Sequence, residues 1–278
     1  MKGIKHASIV TLKEYSELFE NLTIPEAFSL AKKLHPDVLG NMTLENFTEN
    51  IKDKGSAGKL IEHLLYGIPN NSAQEADLKG LIESGEDPPD IKCTKFKCLK
   101  NGKGENATER ITCTNIGPVN SNDDKKKKEY RDKIIDSTTF KESVFMGKCT
   151  KMLLILMERG ENSSKDIMSK KIKCVLLLDL YEEYADILEE DWKHIREAAM
   201  DSSKDIGEGN ITTQCLSCPQ HGGKSSSEVS RALAIKQPFV TRIVGEYLQK
   251  KYDRKDIFIK TGRSPYIDFS KAKPRTDE

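Results

Sequence analysis

The chain has 278 residues, and its 45 Lys and Arg offset 44 Asp and Glu to leave a formal net charge of +1. At 36% hydrophobic and 32% charged residues it is long enough to bury a core and too polar to be a membrane bundle. The near-neutral balance excludes nucleic-acid binding by bulk basicity, leaving only charge segregated onto faces. The basic start, Met1 to His6, is not followed by an apolar stretch, and no run approaches a membrane span, so a soluble, cytoplasmic protein is expected. Seven Cys without an export signal are expected as reduced thiols.

Apolar spacing predicts helices over Leu12–Leu22 and Ile24–Leu34, with Pro25 tolerated at a helix start and Pro36 ending the second. Residues 55–65 form a further amphipathic helix with Leu60, Ile61, Leu64 and Leu65 on one side. After a break at Gly67-Ile68-Pro69 and a polar loop, Ile91–Leu99 alternates like a strand. A turn at Asn101-Gly102-Lys103-Gly104 leads to a second strand over Arg110–Ile116, so the two read as a hairpin. Lys125–Lys128 opens a short charged helix whose face is solvated. Met152–Met157 and Ile172–Leu178 read as buried strands, and Tyr181–Met200 as a long helix carrying the only Trp. A Gly-, Ser- and Cys-bearing loop over Gly207–Ser227 precedes a strand over Ala232–Phe239 and a helix over Val240–Lys250. Cys93, Cys98, Cys113 and Cys174 fall in these strands as small core residues.

The segment from Asp77 to Lys92 carries the chemistry. Asp90 and Lys92 are two apart on a strand, so their side chains share a face. Asp77 lies thirteen residues earlier in the preceding loop, and Glu62 sits on the helix before it. Two carboxylates and a lysine are what phosphodiester hydrolysis asks for. Sparse acids hold magnesium, the metal activates water, and an ammonium orients the water or offsets developing charge. Taken alone, an acid followed two residues later by Lys is also the pattern of a solvated strand edge. Cys215, Cys218 and His221 have zinc-like spacing but lack an evident fourth ligand, which makes two incidental thiols the better reading.

Ordered matches resemble one family, MutH and the type II restriction endonucleases that cut at GATC, within the PD-(D/E)xK nucleases. Lys52 to Gly67 resembles the family's Lys-Gly-x-x-Gly turn and Leu-Glu-x-x-Leu-Gly helix. Asp77 followed by Asp90-Ile91-Lys92-Cys93-Thr94 resembles its Asp…Glu-Leu-Lys-x-Thr. Glu109-Arg110-Ile111, the Phe140–Leu154 segment with Ser143, Lys148 and Lys151, the Glu190–Ile195 helix turn and Arg231 to Gln237 continue in order.

The resemblance implies an α/β fold with a restriction-endonuclease-like core, a mixed central β-sheet flanked by helices, and two lobes forming a DNA cleft. It implies a helical segment over 1–50 packed on the core, an endonuclease domain over 51–262 and a basic tail over 263–278. It implies magnesium, with manganese as a substitute, held by Asp77, Asp90 and the supporting acid Glu62, with Lys92 on the water or scissile phosphate and Lys148 as a second lysine. It implies duplex DNA as substrate, a homodimer on DNA and a cognate DNA methyltransferase. Gln214, Gln220, His221, Lys224, Arg231 and Lys236 are the expected DNA contacts, since Asn and Gln suit adenine while Arg and Lys suit guanine or phosphate. Two departures matter: Asp90 stands where close relatives have Glu, and Ala234 stands where MutH has a Tyr associated with sensing adenine methylation. The second favours a restriction enzyme over a mismatch-repair nicking enzyme. A non-catalytic DNA-binding protein that keeps the fold is the alternative from another class.

Overall fold

A computed structural model describes residues 3–44, 56–68, 77–100, 102–118, 123–158, 169–201, 206–207, 210–221, 230–260 and 265–273. Lys224, residues 45–55 and both ends of the basic tail, 263–264 and 274–278, lie outside the described residues. The chain divides into two compact units, Met1–Thr108 with Lys151–Leu178, and Glu109–Thr150 with Asp179–Glu278. The stretch expected as one domain, 51–262, is therefore shared between both units.

Three helices open the first unit: α1 (Ile9–Glu17), α2 (Ile24–Leu34) and α3 (Pro36–Leu39). The side chain of Ser8 accepts from the Thr11 amide, and Thr11 returns the bond to Ser8, so α1 starts on a capping box. Thr23 and Glu26 do the same for α2, whose first turn holds Pro25 and whose last turn holds Lys32 and Lys33. Then come α4 (Ser56–Tyr66), β1 (Asp90–Cys98) and β2 (Glu105–Ala107). The chain crosses to the second unit for β3 (Ile111–Pro118), α5 (Asp124–Ile135) and α6 (Met146–Cys149), then returns for β4 (Lys151–Glu158) and β5 (Ile172–Asp179). The second unit finishes with α7 (Leu180–Met200), β6 (Leu216–Ser217), β7 (Gln220–His221), β8 (Ser230–Ile235), α8 (Gln237–Tyr252), β9 (Phe258–Ile259) and β10 (Tyr266–Ile267).

In the first unit β1 pairs in parallel with β4, from Asp90 opposite Met152 to Phe96 opposite Glu158, and antiparallel with β2. The sheet is thus mixed, in the order β5-β4-β1-β2. β4 sits between two neighbours and is buried from Met152 to Met157, which its unbroken apolar run requires. The N-terminal helices do not merely rest on a core. Leu12, Phe19, Ile24 and Phe28 share one with Leu60, Ile61, Leu64 and Leu65 of α4 and with Ile91, Leu153 and Ile155 of the sheet.

The second unit is built on β3-β8-β6, with β7 also paired to β8. Trp192 of α7 is buried edge-on to Phe140 and Phe145, and its indole N–H donates to the Ser137 carbonyl at 3.3 Å.

Expectations for two strands and one thiol fail. β1 does not form a hairpin with the strand after Arg110. Its antiparallel partner is the short β2, while β3 pairs with β8 in the other unit. Alternation announces a strand and not its partner. The last strand ends at Ile235 instead of Phe239, because Pro238 lies in the first turn of α8, where a missing N–H costs nothing. Cys98 is also exposed, not a core residue, while Cys113 and Cys174 are buried and Cys93 is half-buried.

Buried hydroxyls tie the N-terminal helices to α4: Tyr15 donates to the Leu65 carbonyl at 2.6 Å, and Tyr66 donates to Ser16 at 2.9 Å. Tyr15→Phe leaves a buried carbonyl without that donor and should lower unfolding free energy by about 1–2 kcal/mol. Urea denaturation of the full chain at fixed pH measures this.

Candidate active site: a carboxylate pair and a lysine

Asp77, Asp90 and Lys92 come together in the first unit. Pro88 and Pro89 lead the chain into β1 in extended conformation, since proline disfavours helix both for itself and for the residue before it. Asp90 is the first residue of the strand and is fully buried. Asp77 lies in the turn that precedes the proline segment, with Leu78 buried beside it and Gly80 at φ +75° turning the chain.

The two carboxylates are locked by a reciprocal exchange. The Asp77 amide donates to Asp90 Oδ1 at 3.2 Å, and the Ile91 amide donates to Asp77 Oδ2 at 3.1 Å. The Lys92 ammonium closes the group by an ion pair with Asp90 Oδ2. Asp77 and Asp90 therefore face each other across two backbone donors, with one cation on one of them.

The N-terminal segment pins this loop. Ile4 N–H donates to the Tyr66 carbonyl at 2.9 Å, His6 N–H to the Leu81 carbonyl at 2.8 Å, and Glu83 N–H back to the His6 carbonyl at 2.9 Å. Residues 4–6 are thus threaded between the end of α4, which carries Glu62, and the loop that carries Asp77. Burial, and the positive partner His35, lower the His6 pKa to about 4, so this buried ring stays neutral where the protein folds. No side-chain pattern in residues 4–6 signals this bridging role, which their backbone partners supply.

Burial, then the charges of Asp90 and Glu62, push the Asp77 pKa up to about 7, against a smaller opposing pull from Lys92. Glu62, half-buried on α4, thereby belongs to the same electrostatic group. Burial, then the charges of Glu62 and Asp77, raise the pKa of the Cys93 thiol, which keeps it protonated and unreactive. Lys148 belongs to the second unit, half-buried on α6.

An oxygen-donor set of this kind suits magnesium, which takes one or two carboxylates and fills its remaining positions with water and phosphate oxygens. Among the described residues no three His, Cys, Asp or Glu side chains form a ready metal cage. A further orphan lies on the same strand face: Thr94 Oγ1 is buried with no hydrogen-bond partner among the described residues.

The expected DNA contacts lie in the second unit and have unequal surroundings. Gln214 and Gln220 are exposed, and His221 pairs with Ser230 in the β7–β8 ladder. Arg231 Nη1 donates to the Cys218 carbonyl at 3.3 Å. Lys236 caps α8, and its ammonium donates to the Thr213 carbonyl, so it braces the chain internally. Cys215 and Cys218 are buried free thiols, and burial raises the Cys215 pKa well above its ordinary value. Ala234 is buried in β8 opposite Thr112 and Ser217.

Asp191 was missed. It lies buried on α7 and accepts three backbone N–H bonds, from Gln214 at 2.7 Å, Cys215 at 2.6 Å and Leu216 at 2.7 Å. His194 Nδ1 adds a contact to the Thr212 carbonyl at 3.0 Å. One helix turn thus fixes the backbone of 212–216. The sequence did carry a signal: Asp191 falls on the same helical stripe as Leu188, Trp192 and Ile195, where an acid is out of place unless satisfied.

No family model matches the chain, and no curated protein matches it at a significant level.

The raised Asp77 pKa fixes a sign. In the unfolded chain the group titrates near 3.8 and in the folded protein near 7. Well below the unfolded value, near pH 3 and under, both states hold the proton and nothing is lost. As pH rises through the unfolded value towards 7 the unfolded chain releases it first, so the site subtracts stability, fully so above about pH 7. In chelator, Asp77→Asn should melt several degrees above the parent at about pH 8, with the gap closing as pH falls to about 3, read by thermal denaturation. Asp191→Ala strands three backbone donors and should cost about 2–4 kcal/mol in urea unfolding, whereas Asp191→Asn, which keeps one acceptor, should cost less.

Proposed function

We propose that the protein is a magnesium-dependent endonuclease of duplex DNA, with Asp77, Asp90 and Lys92 as its active site and Glu62 as a supporting acid. One observation carries the reading: two acids from separate segments are held face to face by reciprocal backbone bonds, with a lysine on one of them and a strongly raised pKa on the other. A structural ion pair does not need the second acid. A site that receives a cation does, because the cation relieves the repulsion that the fold has built in.

Asp77 and Asp90 would hold the ion, which when bound supplies Lewis-acid polarisation of the phosphate and a more acidic water. The reciprocal backbone bonds fix both carboxylates before substrate arrives, so no reorganisation is left for the reaction. Lys92 reaches the site from β1, where its ammonium offsets charge that builds on the phosphoryl oxygens as water attacks and one P–O ester bond breaks. Asp90 is shorter than Glu by one methylene, and its complete burial at the strand start compensates by bringing the backbone itself to the site.

The ordered resemblance to the GATC-cutting restriction endonucleases supports a type II enzyme acting at a short specific site, as a homodimer paired in the cell with a methyltransferase. Gln214, Gln220, His221, Lys224, Arg231 and Lys236 enter as its DNA contacts on that resemblance, and Lys148 as a second lysine near the scissile phosphate. Ala234 offers no phenol for the methylation contact, which supports double-strand cutting over the nicking of unmethylated strands.

Purified protein incubated with supercoiled plasmid and magnesium should give discrete linear fragments. Asp77→Asn and Asp90→Asn should abolish them, and Lys92→Ala should slow cutting by about 10²-fold or more, while all three still bind duplex. Wild-type protein that leaves plasmid intact with both magnesium and manganese would overturn the reading.

A further inference from the structure

The strand that begins at Asp90 ends in a segment of unusual charge. Between Asp90 and Glu105 there are five lysines, Lys92, Lys95, Lys97, Lys100 and Lys103, and no acid. The whole chain balances 45 bases against 44 acids, so this is local segregation. The segment folds as the β1–β2 hairpin, with Phe96 opposite Ala107 and Cys98 opposite Glu105, and its tip is closed by Leu99 N–H on the Gly104 carbonyl at 2.8 Å. Glu105, the acid at the far end, is held in an ion pair by Lys173 of β5, and Lys92 is held by Asp90. Lys97, Lys100 and Lys103 are exposed at the hairpin end, whatever neighbours they touch. The other lysine run, Lys125–Lys128, differs: Asp123, Asp124, Glu129 and Asp132 surround it in sequence, and its net field is small.

We propose that the tip of the β1–β2 hairpin is a docking surface for the phosphate backbone of duplex DNA, with Lys100 and Lys103 as its principal contacts. The partner follows from charge: two exposed turn lysines with no acid or aromatic side chain between them in sequence fit a row of phosphates and offer nothing that reads a base. Lys97 alternates to the opposite face of β1 from Asp90 and Lys92, so the two turn lysines carry the contact. The inference rests on the nuclease reading for its substrate. It adds that β1 is a ruler. Eight residue steps separate Asp90 from Cys98, which at about 3.3 Å each places the tip roughly 25 Å from the carboxylates. At about 3.4 Å per base pair along one strand, that is some seven or eight pairs, so the contact falls on flanking duplex and not on the cleaved site.

The test is fluorescence anisotropy of a labelled 30-base-pair duplex in chelator over a series of salt concentrations, which separates binding from cleavage. The double variant Lys100→Ala/Lys103→Ala should bind about tenfold more weakly near 0.1 M salt, equally for any sequence, and its plot of log K against log salt should be shallower by about 2. Lys125→Ala/Lys128→Ala is the control and should leave the slope within 0.5 of the parent's, the margin at about half of one phosphate contact. An unchanged slope in the hairpin variant overturns the inference even if the parent cuts plasmid. A slope that falls as expected in a parent that never cuts sustains the hairpin and sinks the nuclease reading. A parent with no salt-dependent binding overturns both.

Discussion

The reciprocal bonds between Asp77 and the start of β1 are the constraint on which the first unit turns. Two acids that repel each other are held together, Asp90 by the Asp77 amide and Asp77 by the Ile91 amide. Such an arrangement subtracts from stability unless something positive relieves it, and Lys92 pairs with Asp90 while offsetting only a small part of the repulsion felt by Asp77. The fold tolerates this because the surrounding elements over-determine the backbone. The proline pair, the parallel register with β4 and the N-terminal segment each fix one side of the loop.

Asp191 shows what a buried acid looks like when it serves the fold alone. Its two oxygens receive three backbone N–H donors, so its ionised form is satisfied in place. Asp77 receives one backbone donor and faces two other acids. The difference in donors, more than the difference in burial, separates a structural carboxylate from one poised to bind a cation. Both acids organise a loop, which is why Asp77→Asn and Asp191→Asn are expected to move stability in opposite directions at neutral pH.

The N-terminal segment joins these themes. Its helices complete the apolar core under α4, and its first strand-like residues bridge α4 to the Asp77 loop. Fixing an acid against its repulsion takes contacts on every side, and a segment that is far away in sequence supplies one of those sides. The charge pattern of the β1–β2 hairpin extends the same strand outward, so one continuous element carries the acid, the lysine and the exposed basic tip.

Local physics made much of this legible in the sequence. Period-3.6 and period-2 patterns placed α2, α4, β1, β4, β5 and α7 to within a residue or two, because each buries one stripe or one apolar run, and the two-residue spacing put Asp90 and Lys92 on one face of a strand. What the sequence did not hold was partnership. Nothing local says that β1 pairs with Glu105–Ala107 and not with Ile111–Pro118, since alternation is the same in both. Nothing local says that His6 bridges to Leu81 and Glu83, or that Asp191 caps the backbone of 214–216. Those choices belong to the tertiary structure, because backbone donors and acceptors carry no side-chain signature and find their partners only once the chain has folded around them.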